Sequence, residues 1–285
     1  MTGPIQERAF RFMRPEIADP SATDLGVNER SVEVPWARER IGGARRVLDV
    51  GCSTSDYLAD LARTGPAPEA NPPQAERRGR RVYGLDPDAP HPIRNVGVAR
   101  GTIVAAPFPP GSFDLILCIS TVEHIGLPIY GQHEFPYGDI FAMRHVRRLL
   151  APGGLLLLTV PFGRAQVNPW FRVYDQRSLR RLTGGFRTLS AAFYRLRPNG
   201  GSPSESSGPG HGPSTGSATG SYEACRASDL RDAGYDFDQM RAEGVALAEL
   251  TPSGAPSFLL ARALIRLSLW FERLTGKEKP FLPPS

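Results

Sequence analysis

Lysine is nearly missing from this chain. Of 34 basic residues only Lys277 and Lys279 are lysine, so arginine carries the excess over 29 acids, a net charge of +5. That balance permits an anionic partner and equally fits a scattered, solvated surface. Cysteine is scarce as well. Cys52, Cys118 and Cys225 are odd in number, lie far apart and form no CxxC pair. This excludes a disulfide scaffold or a zinc ribbon and fits a reducing compartment. No His, Cys, Asp or Glu cluster has metal-ligand spacing, so no metal is assigned. The opening stretch, MTGPIQERAFRFMRPEIADP, holds charges throughout and no apolar run, so a secretory signal is not expected. The expected location is the cytoplasm.

What is present is enough apolar sequence, 40% of 285 residues, for a sizeable core. Two stretches are too poor in apolar residues to offset chain entropy and are predicted to be disordered inserts: 64–81, rich in Pro and Arg, and 198–220, almost pure Gly, Ser and Pro. Between them strands alternate with helices. Helices are expected at 28–41, 54–63, 138–150, 175–183 and 257–274. Strands are expected at 46–50, 81–85, 101–104, 113–119, 154–160, 186–194 and 244–250. Short apolar runs bounded by Gly and Pro read as strands buried on both faces. Their alternation with helices predicts an α/β fold with a doubly wound, mostly parallel sheet. The expected division is an N-terminal extension (1–27), one domain (28–252), and a C-terminal amphipathic helix and tail (253–285).

Ligands of such sheets bind beyond the carboxyl ends of the strands. The first strand ends in RRVLDVGCSTSDYLADLA (45–62), where a nucleotide loop normally carries two or three glycines. Here Gly51 stands alone, followed by Cys52, Ser53, Thr54 and Ser55. A pyrophosphate needs very close backbone approach; a carboxylate at a hydroxyl-rich helix start needs less. The stretch therefore reads either as a loop for a small carboxylate-bearing ligand or as a plain strand–helix turn with a cap. The second strand, RVYGLDPD (81–88), ends in Asp86, placed to accept ribose hydroxyls or to serve as a turn residue. It lies 35 residues beyond Gly51, and removing the 64–81 insert brings the spacing near the usual ~20. Two further pieces follow: APFPPGSFDLILCISTVEHIG (106–126) and RRLLAPGGLLLLTVPFG (147–163).

In order and spacing, these four pieces resemble class I S-adenosylmethionine-dependent methyltransferases, most closely the branch that modifies small molecules and glycans. The resemblance covers residues 30–194 and, more weakly, 244–250 as a closing strand. It implies a Rossmann-like, seven-stranded, mostly parallel sheet whose last strand is antiparallel, with S-adenosylmethionine as cofactor. It also implies that Asp49, Gly51, Cys52 and Ser53 hold the amino acid end of the cofactor. Asp86, with Pro87 beside it, would bind the ribose, Thr102 would flank the adenine, and Ser120 would form the floor. Serines at 53 and 55 replace the family's usual glycines, and Thr102 stands where an acidic residue is usual. HIGLPIYGQHEFPYGDIFAM (124–143) and WFRVYD (170–175) resemble a subgroup linked with surface-polysaccharide synthesis.

Methyl transfer from an activated sulfonium is an in-line displacement, so the protein mainly positions the acceptor; a hydroxyl acceptor also gains from a general base. His124, just past the fourth strand, titrates near neutrality and is the candidate base, with Glu123 orienting the site; both could equally cap or pack the next helix. Tyr174 and Asp175, with His133 and Glu134, are candidates for the acceptor side. Tyr130, Phe135, Tyr137, Trp170 and Phe171 supply aromatic surface for stacking on a ring or for packing.

SFLLARALIRLSLWFERL (257–274) sets Arg262, Arg266 and Arg273 on one stripe of an otherwise apolar helix, shorter than a membrane span. It fits docking on the domain or a second subunit, or lying on the inner membrane face. The expected activity is methyl transfer to a hydroxyl of a small-molecule or glycan acceptor, with no nucleic-acid partner. The alternatives are a non-catalytic binding protein that keeps the fold, or an RNA methyltransferase.

Overall fold

A computed structural model describes residues 28–55, 57–63, 79–88, 92–129, 134–198, 220–236 and 241–253. In chain order the elements are α1 (Arg30–Arg40), β1 (Arg46–Val50), a 3₁₀ turn (Cys52–Thr54), α2 (Leu58–Arg63), β2 (Arg81–Asp86) and β3 (Val96–Arg100). A 3₁₀ turn (Ile103–Ala105), β4 (Phe113–Ile119), a 3₁₀ turn (Val122–His124), α3 (Gly138–Leu149) and β5 (Leu150–Pro161) follow. The short strands β6 (Gln166–Val167) and β7 (Arg172–Val173) lead to α4 (Gln176–Leu182), β8 (Phe186–Pro198) and β9 (Gly220–Cys225). After a 3₁₀ turn (Ala227–Leu230), β10 (Tyr235–Asp236), β11 (Arg241–Ala242) and β12 (Gly244–Pro252) complete the order.

The central strands send alternate side chains into two cores, as a period of two requires. Leu48, Ile116, Cys118, Leu156 and Leu158 pack on one face with Ala142, Met143 and Val146 of α3. Val47, Leu115, Leu117 and Leu157 pack on the other with Trp36 of α1 and Leu58 and Leu61 of α2. Each of these fully buried aliphatic side chains contributes about 1.5–3 kcal/mol. Asp49 shares a face with Val47, so it points toward the α1 and α2 side, where Tyr57 is buried.

The strand order is β3-β2-β1-β4-β5-β12-β8-β9. The first five are mutually parallel, and β12 runs antiparallel to both β5 and β8. The last strand is therefore antiparallel, as expected. The sheet has eight strands rather than seven: β9 adds itself antiparallel to β8. Chain order reverses between β1 and β4, which opens the ligand crevice of this topology at their carboxyl ends.

Two elements differ from expectation. The third strand is Val96–Arg100, and the predicted strand 101–104 is a bend and a 3₁₀ turn with Ile103 buried. The predicted helix 54–63 begins later, at Leu58, after the Cys52–Thr54 turn. Most of both predicted inserts (64–78, 199–219), the extension 1–27 and the helix 257–274 lie outside the described residues. Among the described residues, no helix is long and apolar enough to cross a membrane.

Candidate active site

The β1 end is built around a buried carboxyl. Asp49 is 1% exposed and accepts hydrogen bonds from Ser55 Oγ (2.5 Å) and Tyr57 OH (3.3 Å). Burial pushes its pKa up to about 7, partly offset by those two donors. Gly51 follows in the left-handed region at φ 84°, and a Cβ there would lie 2.3 Å from Thr121 Oγ1. Only glycine fits both the dihedral and the space. The Cys52 thiol is buried against β2, where a Cβ on Gly84 would meet its Sγ at 2.6 Å; burial pushes the thiol pKa to about 12. Cys52 thus packs the loop down onto the sheet.

At the β2 end the Asp86 carboxylate joins two loops. One oxygen accepts from Ser53 N (3.0 Å), the other from Asp88 N (2.8 Å). The end of β3 is tied to the same place: Gly101 N donates to Asp86 O (3.0 Å) and Arg100 Nε to Pro87 O (2.9 Å). Thr102 follows at once, in extended conformation, at the start of the 103–105 turn.

The β4 end holds the third group. Ser120 adopts φ 43°, unusual for a residue with a Cβ. Its N–H donates to Thr159 Oγ1 (2.9 Å) and its hydroxyl to Glu33 Oε1 (2.7 Å). Glu33, from α1, is fully buried, and burial raises its pKa. Thr121 Oγ1 reaches Val50 O (3.0 Å), joining the β4 end to β1. Glu123 is 1% exposed, with its pKa driven well up by burial. Among the described residues, Glu33 Oε2 and Glu123 Oε2 are buried without a hydrogen-bond partner. His124 Nδ1 lies 2.6 Å from Trp170 O. A carbonyl only accepts, so Nδ1 carries the proton; Nε2 lies 3.9 Å from Glu123 Oε1. Burial pushes the His124 pKa down to about 4, against the Trp170 bond, which raises it.

A family model described as a methyltransferase domain matches residues 6–194. The chain belongs to this methyltransferase family. Among curated proteins, no sequence matches it. It is similar to the solved N-methyltransferase NodS from Bradyrhizobium japonicum, in complex with S-adenosyl-L-homocysteine, at 16% identity over 86% of this chain and 98% of that one, TM-score 0.49. It is similar to a SAM-dependent methyltransferase from Methanosarcina mazei at 12% identity over 76% and 96%, TM-score 0.44. It is also similar to the [4+2]-cyclase SpnF at 20% identity over 55% of this chain, TM-score 0.38, and spans only 57% of that protein.

S-adenosylmethionine is the cofactor of this methyltransferase. The residues present fit it: at the reversal point β2 ends in a carboxylate fixed through both oxygens, beside the turn that follows β1. Asp49, Gly51, Asp86 and Ser120 all stand at carboxyl ends of neighbouring strands, with Cys52, Ser53, Pro87 and Thr102 in the turns that follow. Glu123 and His124 come next after β4.

Tyr174 and Asp175 are engaged elsewhere. Tyr174 OH donates to the buried Asp139 Oδ2 (3.0 Å). Asp175 is the N-cap of α4: its N–H donates to Ser178 Oγ (2.9 Å), and its Oδ1 accepts from Ser178 Oγ (2.6 Å) and Ser178 N (2.7 Å), the two bonds that hold its pKa down. Trp170 and Phe171 are buried in a small cluster with Leu127, Ile129 and Val173. Glu134 is exposed, and Tyr130 and His133 lie outside the described residues. Sequence reasoning gave no site role to Glu33 or Thr121. The available signal for Glu33 was a carboxyl set between Val32 and Val34 on an otherwise half-buried helix.

Proposed function

We propose that this methyltransferase acts on a hydroxyl of a small-molecule or glycan acceptor, with His124 as the proton acceptor. The observation that carries this reading is the Nδ1–Trp170 bond, which fixes the tautomer with its proton on Nδ1 and sets the ring beside the β4 end. S-adenosylmethionine supplies an activated methyl group when bound. The chain's own residues do the rest. Asp86 binds the ribose hydroxyls, with Pro87 beside it, and the turn Gly51–Cys52–Ser53 with Asp49 behind it borders the amino acid end. Thr102 borders the base and Ser120 closes the floor. His124 Nε2 takes the acceptor's proton as a weak base, its pKa held at about 4 by burial rather than near neutrality, with the buried Glu123 carboxyl 3.9 Å away.

The unpartnered Glu33 and Glu123 oxygens favour a second reading, in which the accepting atom is an amine nitrogen held by one of these carboxyls. Incubation with isotopically methyl-labelled S-adenosylmethionine and matched panels of hydroxyl and amine acceptors separates the two. Label on hydroxyl acceptors supports the first reading, and label confined to amines replaces it with the second. Cofactor binding without transfer to either panel points to a binding protein on this fold.

A further inference from the structure

The short β6–β7 hairpin carries a charge that is almost out of water. The Arg172 side chain is only 11% exposed, and burying a guanidinium is costly unless it is paired and its donors are met. Nη1 donates to the carbonyls of Glu123 (3.0 Å) and Ile125 (2.9 Å), the two residues on either side of His124. Nε faces Asp139 Oδ2 at 3.7 Å. Asp139, in the first turn of α3, is itself held: Oδ2 accepts from Tyr174 OH (3.0 Å) and Oδ1 from Ile140 N (2.9 Å). The guanidinium is thus neutralised from α3 and directs Nη1 at the turn that carries His124.

The same hairpin holds the His124 ring. Trp170 O lies 2.6 Å from Nδ1. That carbonyl is fixed in turn by Asn168, whose Oδ1 accepts from Trp170 N (2.8 Å) and Phe171 N (3.1 Å). The turn closes on itself through other carbonyls, those of Thr121, Val122 and His124. Arg172 therefore sets the separation across which His124 meets Trp170. Burial, and behind it the Arg172 charge, keeps the ring neutral, so one nitrogen carries a single proton and the Trp170 carbonyl decides which. Stability alone does not call for an arginine here. Its chain neighbours Phe171 and Val173 are buried in an apolar cluster with Leu127 and Ile129, and an apolar side chain could join them with similar stability. A guanidinium adds direction, because its rigid fork fixes where two backbone carbonyls stand.

We propose that Arg172 is the positioning residue of the candidate site: it locks the β6–β7 hairpin onto the 122–125 turn so that Trp170 holds His124 in its Nδ1–H tautomer. The consequence for methyl transfer rests on the reading of His124 as proton acceptor; the positioning does not.

The test is histidine nitrogen NMR on the full chain, isotopically labelled, with His124→Asn assigning the His124 signals by their loss. The wild type should show the Nδ1–H form. Arg172→Met, which removes the donors, should show a mixture with the Nε2–H form. Arg172→Met/Asp139→Asn should show the same mixture in a chain that leaves no charge buried alone. Arg172→Lys, which keeps a charge and donors, should recover most of the Nδ1–H form. Val173→Ala loosens the same hairpin without removing a bond to the turn and should keep the wild-type form. With labelled S-adenosylmethionine and the hydroxyl panel, kcat should fall about 10²-fold in the Met variants, with cofactor affinity unchanged. A changed tautomer at an unchanged rate upholds the positioning and removes His124 from proton transfer. A wild-type tautomer in both Met variants, or a mixture in Val173→Ala as well, would overturn the proposal.

Discussion

Ser120 and Glu33, 87 positions apart in sequence, share a 2.7 Å hydrogen bond that ties the N-terminal helix to the end of the central strand. Replacing Ser120 with Ala leaves a buried carboxyl oxygen unpaired, so a loss of about 1–3 kcal/mol is expected in denaturant unfolding. Glu33→Gln keeps the acceptor and removes the charge. Because burial already favours the neutral form of Glu33, this variant should match or exceed the wild type in stability at pH 8. A less stable Glu33→Gln would show that the carboxylate is ionised and paired.

Stability should fall as pH rises from 5 toward 8. Asp49 has a folded pKa near 7 against an unfolded 3.8, so the folded state holds the proton more tightly. Its contribution is complete below 3.8 and is lost as pH rises through about 7. His124, at about 4 folded and 6.5 unfolded, acts the other way, adding stability as pH rises between those values. Each group is limited to about 1.4 kcal/mol per pH unit. Glu33 and Glu123 are both raised and act with Asp49, so the acids prevail. Chemical denaturation at intervals of one pH unit tests this. A steady rise in stability across the range would contradict it, and Asp49→Asn should flatten the curve.

Asp86→Ala should weaken S-adenosylmethionine binding by about tenfold or more, since hydrogen bonds to a charged group contribute roughly 1.5–3 kcal/mol. Asp86→Asn keeps one acceptor and should fall between. Titration calorimetry with the cofactor and its demethylated product reads both. Unchanged affinity in the Ala variant would remove Asp86 from the cofactor site.

His124 and Asp175 should separate cleanly. An Asn side chain can still donate to Trp170 O, so His124→Asn should keep the melting temperature close to the wild type. It should lower kcat for a hydroxyl acceptor by about 10²–10⁴. Full activity in that variant would leave His124 a positioning residue for the 168–171 turn. Asp175→Ala removes a capping box and should cost about 1 kcal/mol of stability with kcat unchanged.

The sequence made the buried half of this molecule readable. Strands β1, β2, β4, β5 and β12 are apolar runs because both faces are covered, and their ends locate Gly51, Asp86 and Ser120. The third strand escaped because it is an edge strand: VGVAR contains a glycine and is only half-buried, so no apolar run marks it. The apolar GTIVAAP beside it drew the eye but packs Ile103 through a single turn. β9 borders a Gly/Ser tract and is largely exposed, so it too lacked periodic burial. Asp175 reads as an acceptor-side residue through the WFRVYD segment, and its side chain caps α4. Glu33 was out of reach because its partners come from β4 and β5, and no local pattern reports a contact across the fold.

The glycine-poor loop after β1 has a thermodynamic consequence. A loop of several glycines explores many conformations when empty and must give them up on binding. Here the Ser55 and Tyr57 hydroxyls grip Asp49, Cys52 is wedged over Gly84, and Ser53 N–H is bonded to Asp86, all within the protein itself. The loop's entropy is surrendered during folding rather than at the moment of encounter. Cofactor capture should therefore carry a small ordering penalty, with affinity set by the few contacts made and little by the loop that makes them.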